Sequence, residues 1–284
     1  MRFKIFLREN LKDKISEDEL DLLPSGFQRI GEIIIVHLDR KLWKREREIG
    51  NIILREFHAK SVFRKGSVSG ELRLPELRRI AGKGSTATVR ENGCIYRLDV
   101  SKVMFSKGNV LERGRIRPGR NETVVDMFAG IGYFSLPMAK TAGRVIAIEK
   151  SPEAMKFLRE NIRLNRAHNI VPILGDCRKL KTLPINTLEG GADRIVMGYF
   201  PGTEKFLPAA FGFIGLTGTI HYHNIYQKGD LWKKPVGELK SAAERAGFSV
   251  VKIDKHIVKQ FSPAKYHVVI DARVSRRHPN KSKK

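Results

Sequence analysis

The chain has 284 residues, 41% of them apolar, which allows one large or two modest packed domains and excludes a wholly disordered chain. No run reaches the roughly 20 apolar residues of a membrane span, and Arg8 and Glu9 interrupt any leader stretch; the two cysteines, Cys94 and Cys177, lack the spacing of a disulfide framework or a zinc site and fit a reducing cytoplasm. Fifty-four Lys and Arg against thirty Asp and Glu leave a net charge of +24, which implies a polyanionic partner, a nucleic acid before a membrane surface.

In chain order, the first region, residues 1–110, reads as a small mixed α+β domain with a basic surface. Gly31–His37 is an apolar run expected as a buried strand. Leu42–Phe57 places Trp43, Ile49, Ile52, Ile53 and Phe57 at helical spacing. Val62–Gly70 is basic and rich in Gly and Ser and reads as a loop. Ala87–Arg90 and Cys94–Leu98 read as a hairpin, because Asn92-Gly93 favours a tight turn. Lys60, Arg64 and Lys65 are the candidate RNA contacts of this region.

Residues 111–274 alternate regularly. Strands are expected at Thr123–Ala129, Arg144–Lys150, Ile170–Asp176, Ala192–Tyr199 and Gly218–Tyr226. Helices are expected at Tyr133–Thr141, Pro152–Asn165 (with Ser151 as cap), Glu204–Ile214 and Val236–Ala246. Phe248–Val258 and Tyr266–Val274 are two final strands joined by a loop, Lys259–Ala264. Such alternation predicts an α/β fold, a mostly parallel seven-stranded sheet with an antiparallel edge strand, in the habit of the Rossmann-like class I methyltransferases. Residues 275–284 read as a basic disordered tail.

In an open α/β sheet the ligand sits beyond the carboxyl ends of the strands. The first of them ends in Phe128-Ala129-Gly130-Ile131-Gly132, where glycine lets the backbone approach a ligand closely. The third glycine of the dinucleotide fingerprint is missing, since Ser135 stands at its position, which argues against a pyrophosphate ligand. Glu149 closes the second strand, where a carboxylate can accept both ribose hydroxyls of an adenosine. Asp176 closes the third, where it can accept an adenine amine while the Cys177 N–H donates to a ring nitrogen. This order points to S-adenosylmethionine as cofactor, with no metal. Cys177 itself reads as a wall residue.

The stretches Asp99–Arg113, Val124–Ala139 (VVDMFAGIGYFSLPMA) and Ala147–Pro152 (AIEKSP) resemble the tRNA guanine-37 N1-methyltransferases and their relatives, the wybutosine-synthesising aminocarboxypropyltransferases. The likeness runs from about residue 85 onward. It implies that Ser106, Lys107 and Arg113 hold the methionine arm of the cofactor. In the methyltransferase branch the fourth strand ends in Asn or Asp before a proline-containing turn. Here the residues are Met197-Gly198-Tyr199-Phe200-Pro201, without a side-chain acceptor, and are similar to the aminocarboxypropyltransferase branch, as is His221-Tyr222-His223-Asn224. The N-terminal region also reads as too short for the extra tRNA-docking domain of archaeal methyltransferases.

That branch uses S-adenosylmethionine as aminocarboxypropyl donor to a tricyclic guanosine derivative at position 37, in the anticodon loop of phenylalanine tRNA. The resemblance therefore implies that Arg113, Met197, Gly198, Tyr199 and His223 form the catalytic side. Tyr199 or Phe200 is either a stacking platform for the base or a core residue at a strand end. His223 is either a proton acceptor or a structural histidine. Three readings stay open at this stage: aminocarboxypropyl transfer to tRNA, methyl transfer to a tRNA guanosine, and a catalytically silent RNA-binding protein. A cytoplasmic monomer is expected in each.

Overall fold

A computed structural model describes residues 3–69, 74–105, 107–180 and 190–277. The chain separates into two compact units, Met1–Arg90 with Ile95–Ser106, and Glu91–Cys94 with Lys107–Lys284. The first unit thus closes at Ser106 instead of at residue 110, and a hairpin turn goes with the second.

In the first unit, helices α1 (Phe3–Leu11), α2 (Glu17–Asp21) and α3 (Glu46–Glu56) accompany a four-stranded sheet. Its strands are β1 (Phe27–Ile30), β2 (Ile33–Val36), β3 (Ser61–Ser69) and β4 (Leu74–Gly82), in that order, with only β2 and β3 parallel. The apolar seam of α3, Ile49, Ile52 and Ile53, is buried with Ile34, Val36, Val62 and Leu7. Residues 40–45 form a 3-10 turn ahead of α3, so the expected helix at Leu42–Phe57 is split.

The expectation of a loop at Val62–Gly70 is wrong: Gly70 lies outside the described residues, and β3 occupies the rest, as far as Ser69. Its charges disguised the strand. Arg64 is buried, because its guanidinium reaches Glu46 Oε2 at 2.8 Å, and Arg78 takes the other oxygen at 2.8 Å. A paired charge can sit where periodicity expects an apolar side chain. The hairpin β5 (Thr86–Glu91) and β6 (Cys94–Asp99) forms as expected, with φ of 51° at Asn92 and 67° at Gly93, as a primed two-residue turn requires.

The second unit carries helix α4 (Val110–Arg115) and a seven-stranded sheet of β7 (Thr123–Asp126), β8 (Arg144–Glu149), β9 (Ile170–Leu174), β10 (Ala192–Met197), β11 (Ile214–Gln227), β12 (Phe248–Ser262) and β13 (Lys265–Arg276). Their order across the sheet is β12-β13-β11-β10-β7-β8-β9. Strands β9, β8, β7, β10 and β11 are mutually parallel, and β13 runs against both its neighbours. This is the expected doubly wound sheet, reversing at β7/β10.

Helices α5 (Ser135–Ala139) and α6 (Pro152–Leu164) pack on β8 and β9, while α7 (Leu207–Phe213) and α8 (Lys233–Arg245) pack on β10 to β13. Helix α6 starts as its sequence indicated: the Ser151 side chain accepts from the Ala154 N–H at 3.3 Å, and Pro152 sits in the first turn. One face of the sheet buries Val125, Met127, Ile195, Met197, Ile220 and Ile270 under α7 and α8. Strands β11, β12 and β13 are longer than expected. Of the presumed loop Lys259–Ala264, residues up to Ser262 belong to β12, and β13 continues to Arg276. The rest of the expected tail, 278–284, lies outside the described residues.

Candidate active site

The parallel strands deliver their carboxyl ends to one edge. Past β7 the ladder continues, with Met127 N–H donating to Val196 O at 3.0 Å and Ala129 N–H to Ile148 O at 2.9 Å. The chain then turns through Gly130 and Gly132, at φ of 57° and 102°, conformations that disfavour a Cβ. Glu149 lies beside this turn. Its carboxylate accepts from Gly130 N–H and Ser151 N–H, both at 2.7 Å, one on each oxygen. Burial raises its pKa, against the pull of those two N–H groups. Each oxygen retains acceptor capacity for a hydroxyl.

Beneath the turn lies Asp126, fully buried, which accepts from the Ser135 hydroxyl at 2.7 Å and from Phe128 N–H at 3.3 Å. Desolvation pushes its carboxyl up to about 6. Sequence reasoning passed over Asp126; an acidic residue inside an apolar strand was the available signal.

Asp176 stands after β9. Arg178 holds it by Nε at 3.0 Å and Nη2 at 2.6 Å, and these bonds keep the carboxyl well below its usual range. The Arg178 guanidinium also lies 4.7 Å from the Phe206 ring centroid. Cys177 is buried, and desolvation pushes its thiol up to about 12, so it is a wall residue without nucleophilic character at neutral pH.

Two candidates turn out to share one packing solution. Met197 is fully buried on the α7/α8 face and points into the core. Gly198 follows it, and a Cβ there would lie 2.6 Å from Cε2 of Phe134. Phe134, 5% exposed, therefore fills the space a side chain at 198 would take. Neither Met197 nor Gly198 presents a polar group. Tyr199 stacks on Phe128 of the glycine turn at 5.0 Å and 23°, and Phe206 meets both rings edge-on. Phe200 precedes Pro201 through a cis peptide and rests on His267 at 4.1 Å.

His223 is enclosed, 1% exposed. Its Nδ1 is 3.2 Å from His267 Nε2, its Nε2 is 3.7 Å from Glu112, and its ring meets Phe134 at 5.3 Å. Desolvation, followed by the neighbouring His267, lowers its pKa well below the ordinary value. A proton acceptor for a bound substrate must be reachable; this enclosed ring favours the structural alternative. Next to it runs a polar chain. Arg115 bonds Glu112 at 2.8 Å and Asp271, Asp271 takes His221 Nδ1 at 2.6 Å, and Arg194 joins His221 to Glu122. The chain ties α4 to the sheet.

Arg113, on α4, is 4% exposed; it pairs with buried Glu91 at 2.8 Å and lies 4.5 Å from the centroid of the Tyr133 ring. Glu91 was not singled out by sequence, since its partner is distant along the chain. Lys107 opens a 3-10 turn to Asn109; its side chain, like the whole of Ser106, lies outside the described residues. The structure thus gathers Phe128, Ala129, Gly130, Gly132, Glu149, Asp176 and Tyr199 at one edge, and sets Met197, Gly198 and His223 beneath it.

The set fits an adenosine: a carboxylate at each of two successive strand ends, beside a glycine turn. Comparison with known proteins agrees. Residues 87–251 match the family described as TRM5/TYW2 methyltransferase domain, and residues 7–86 the one described as TYW2 N-terminal domain. A tRNA(Phe) (4-demethylwyosine(37)-C(7)) aminocarboxypropyltransferase of Methanocaldococcus jannaschii is 38% identical over 88% of this chain and 98% of its own length. A tRNA (guanine(37)-N(1))-methyltransferase Trm5b of Pyrococcus abyssi is 39% identical over 89% of this chain and 76% of its own. Among solved structures, Pyrococcus horikoshii TYW2 in complex with MeSAdo superposes with a TM-score of 0.81 at 34% identity, covering 96% of this chain and 99% of that one. M. jannaschii TYW2 in complex with AdoMet gives 0.71 at 34% identity, over 88% and 100%. A match across more than half of the chain, together with relatives of this identity, shows that the chain belongs to the TRM5/TYW2 family.

Proposed function

We propose that this protein transfers the 3-amino-3-carboxypropyl group of S-adenosylmethionine to the tricyclic 4-demethylwyosine base at position 37 of phenylalanine tRNA, releasing methylthioadenosine. The observation that carries the choice of group is the end of β10. Met197 is turned into the core and the ring of Phe134 takes the place of any side chain at Gly198, so no side-chain acceptor stands where an amine-directed methyl transfer would use one. The relative from M. jannaschii that aligns over 98% of its length bears the aminocarboxypropyl activity in its name.

Bound S-adenosylmethionine supplies a sulfonium with three electrophilic carbons, and the one held in line with the nucleophile reacts. The protein's part is to orient. Glu149 accepts the ribose hydroxyls and Asp176 the adenine amine, with the Cys177 N–H beside it. Arg113, paired with buried Glu91 and lying against Tyr133, positions the α4 end of the site, and Lys107 serves the carboxylate end of the arm. Tyr199 and Phe200 flank the place of the incoming base, which has to leave its stack to reach it.

S-adenosylmethionine labelled separately in the methyl and the carboxyl carbon tests the reading, with tRNA already carrying the tricyclic base. Carboxyl label in the tRNA is expected. Methyl label would establish methyl transfer instead, and no label would leave an RNA-binding protein without this activity.

A further inference from the structure

The carboxyl edge is not level. Strand β10 ends at Met197, opposite Tyr222 of β11. Strand β11 continues five residues further, to Gln227, at about 3.4 Å each a projection of about 17 Å. Strand β13 accompanies it, Gln227 pairing with Lys265, and β12 accompanies β13 up to the pair Ser262 and Lys265. The Lys228 N–H donates to Ala264 O at 3.0 Å and closes the tip. The result is a three-stranded wall standing beside the loop that leaves β10.

The loop leans on this wall. Phe200 lies on His267 of β13 and meets Phe261 of β12 edge-on, at 6.3 Å and 86°. Lys259 touches the opposite neighbour: a Cβ at Gly108, in the turn after Lys107, would lie 2.6 Å from its Nζ. Yet Phe261 is 48% exposed. From Lys255 to Ile270 the hairpin has three lysines and no carboxylate, and Lys228 is exposed at its tip. An open aromatic face with lysines around it, next to a reacting centre, matches an unstacked nucleotide and its flanking phosphates better than a protein or a lipid.

We propose that the β12–β13 hairpin is a second wall of the base site, with Phe261 as the aromatic face against the nucleotide presented to Phe200 and with Lys259 and Lys265 along its backbone. The inference rests on the reading that a tRNA base enters at the β10 loop.

Wild type, Phe261→Ala, Phe261→Leu and Phe261→Trp are compared on two tRNAs that differ only at position 37, tricyclic base or guanine, by equilibrium binding and by transfer of carboxyl label. Wild type is expected to prefer the tricyclic tRNA. Phe261→Ala and Phe261→Leu are expected to lose about tenfold of that preference, as for one lost base stack, with S-adenosylmethionine affinity and thermal unfolding unchanged. Phe261→Trp is expected to keep it. An unchanged preference in Phe261→Ala, or full rescue by Leu, would show that Phe261 only packs on Phe200 and would overturn the wall alone. Failure of wild type to transfer carboxyl label would remove the wall and the proposed reaction together.

Discussion

Gly198→Ala is the perturbation with the most explicit structural consequence. No positive φ constrains the backbone at 198, so alanine is conformationally admissible; only space opposes it. The new Cβ would lie 2.6 Å from Cε2 and 2.9 Å from Cδ2 of Phe134, about 1 Å inside ordinary contact. Phe134 has little freedom to retreat. It is 5% exposed, faces the His223 ring, and directly precedes α5. Overpacking of this kind costs about 1–3 kcal/mol. Phe134→Ala alone should cost about 3–5 kcal/mol as a cavity. In that background Gly198→Ala should become neutral or mildly stabilising, since alanine also restricts the unfolded chain by about 0.4–1 kcal/mol. Urea unfolding of the four proteins gives the cycle. A coupling of about 1–3 kcal/mol is expected. Additivity within about 0.5 kcal/mol would refute the claim that Phe134 is what reserves position 198 for glycine. The same reasoning says that Gly198→Asn alone will not install methyl transfer, because the longer side chain meets the same ring.

Glu149→Gln places an amide nitrogen against either Gly130 N–H or Ser151 N–H, each now 2.7 Å from a carboxylate oxygen; calorimetry should find S-adenosylmethionine bound at least about tenfold more weakly, and unchanged affinity would remove Glu149 from the site. Asp126 has a folded pKa of about 6 against an ordinary 3.8, so the folded state binds its proton more tightly. Its contribution is fully present below pH 3.8 and is lost as pH rises through 6, for at most roughly 3 kcal/mol. Asp126→Asn should therefore gain on wild type in urea unfolding between pH 5 and pH 8; a gap independent of pH would contradict the raised pKa. For tRNA binding, Lys60→Ala with Lys65→Ala should flatten the salt dependence, because both lysines are exposed, whereas Arg64→Ala should destabilise the first unit by leaving buried Glu46 with Arg78 alone. A salt slope that the lysine pair leaves unaltered would place the RNA elsewhere.

The catalytic sheet was legible because parallel strands covered on both faces read as apolar runs, as Arg144–Glu149 and Ala192–Met197 do. Glu149 and Asp176 were legible for a related reason: a carboxylate closing such a run marks the edge of the sheet. Strand β3 was not, since Arg64 is buried through a partner eighteen residues away. Nor was the length of β12, whose lysines, Lys252, Lys255 and Lys259, break the alternation on an edge strand without demanding burial. Glu91 under Arg113 and Arg178 on Asp176 are products of folding, visible only once the chain is closed.

Two features of the sequence look independent. A phenylalanine, Phe134, follows the glycine turn, and Gly198 stands where an amine-directed methyltransferase has a polar side chain. The structure makes them one contact. A phenylalanine immediately after the glycine turn needs room, and the β10 end is where its ring goes; only glycine leaves that room. The ring then supports His223 on β11 while Phe128 of the same turn stacks on Tyr199. The turn proposed for the adenosine half and the loop proposed for the base are thereby coupled through aromatic packing. Selection of the group that leaves sulfur can follow from that packing, through orientation alone, without an added acid or base at residue 198.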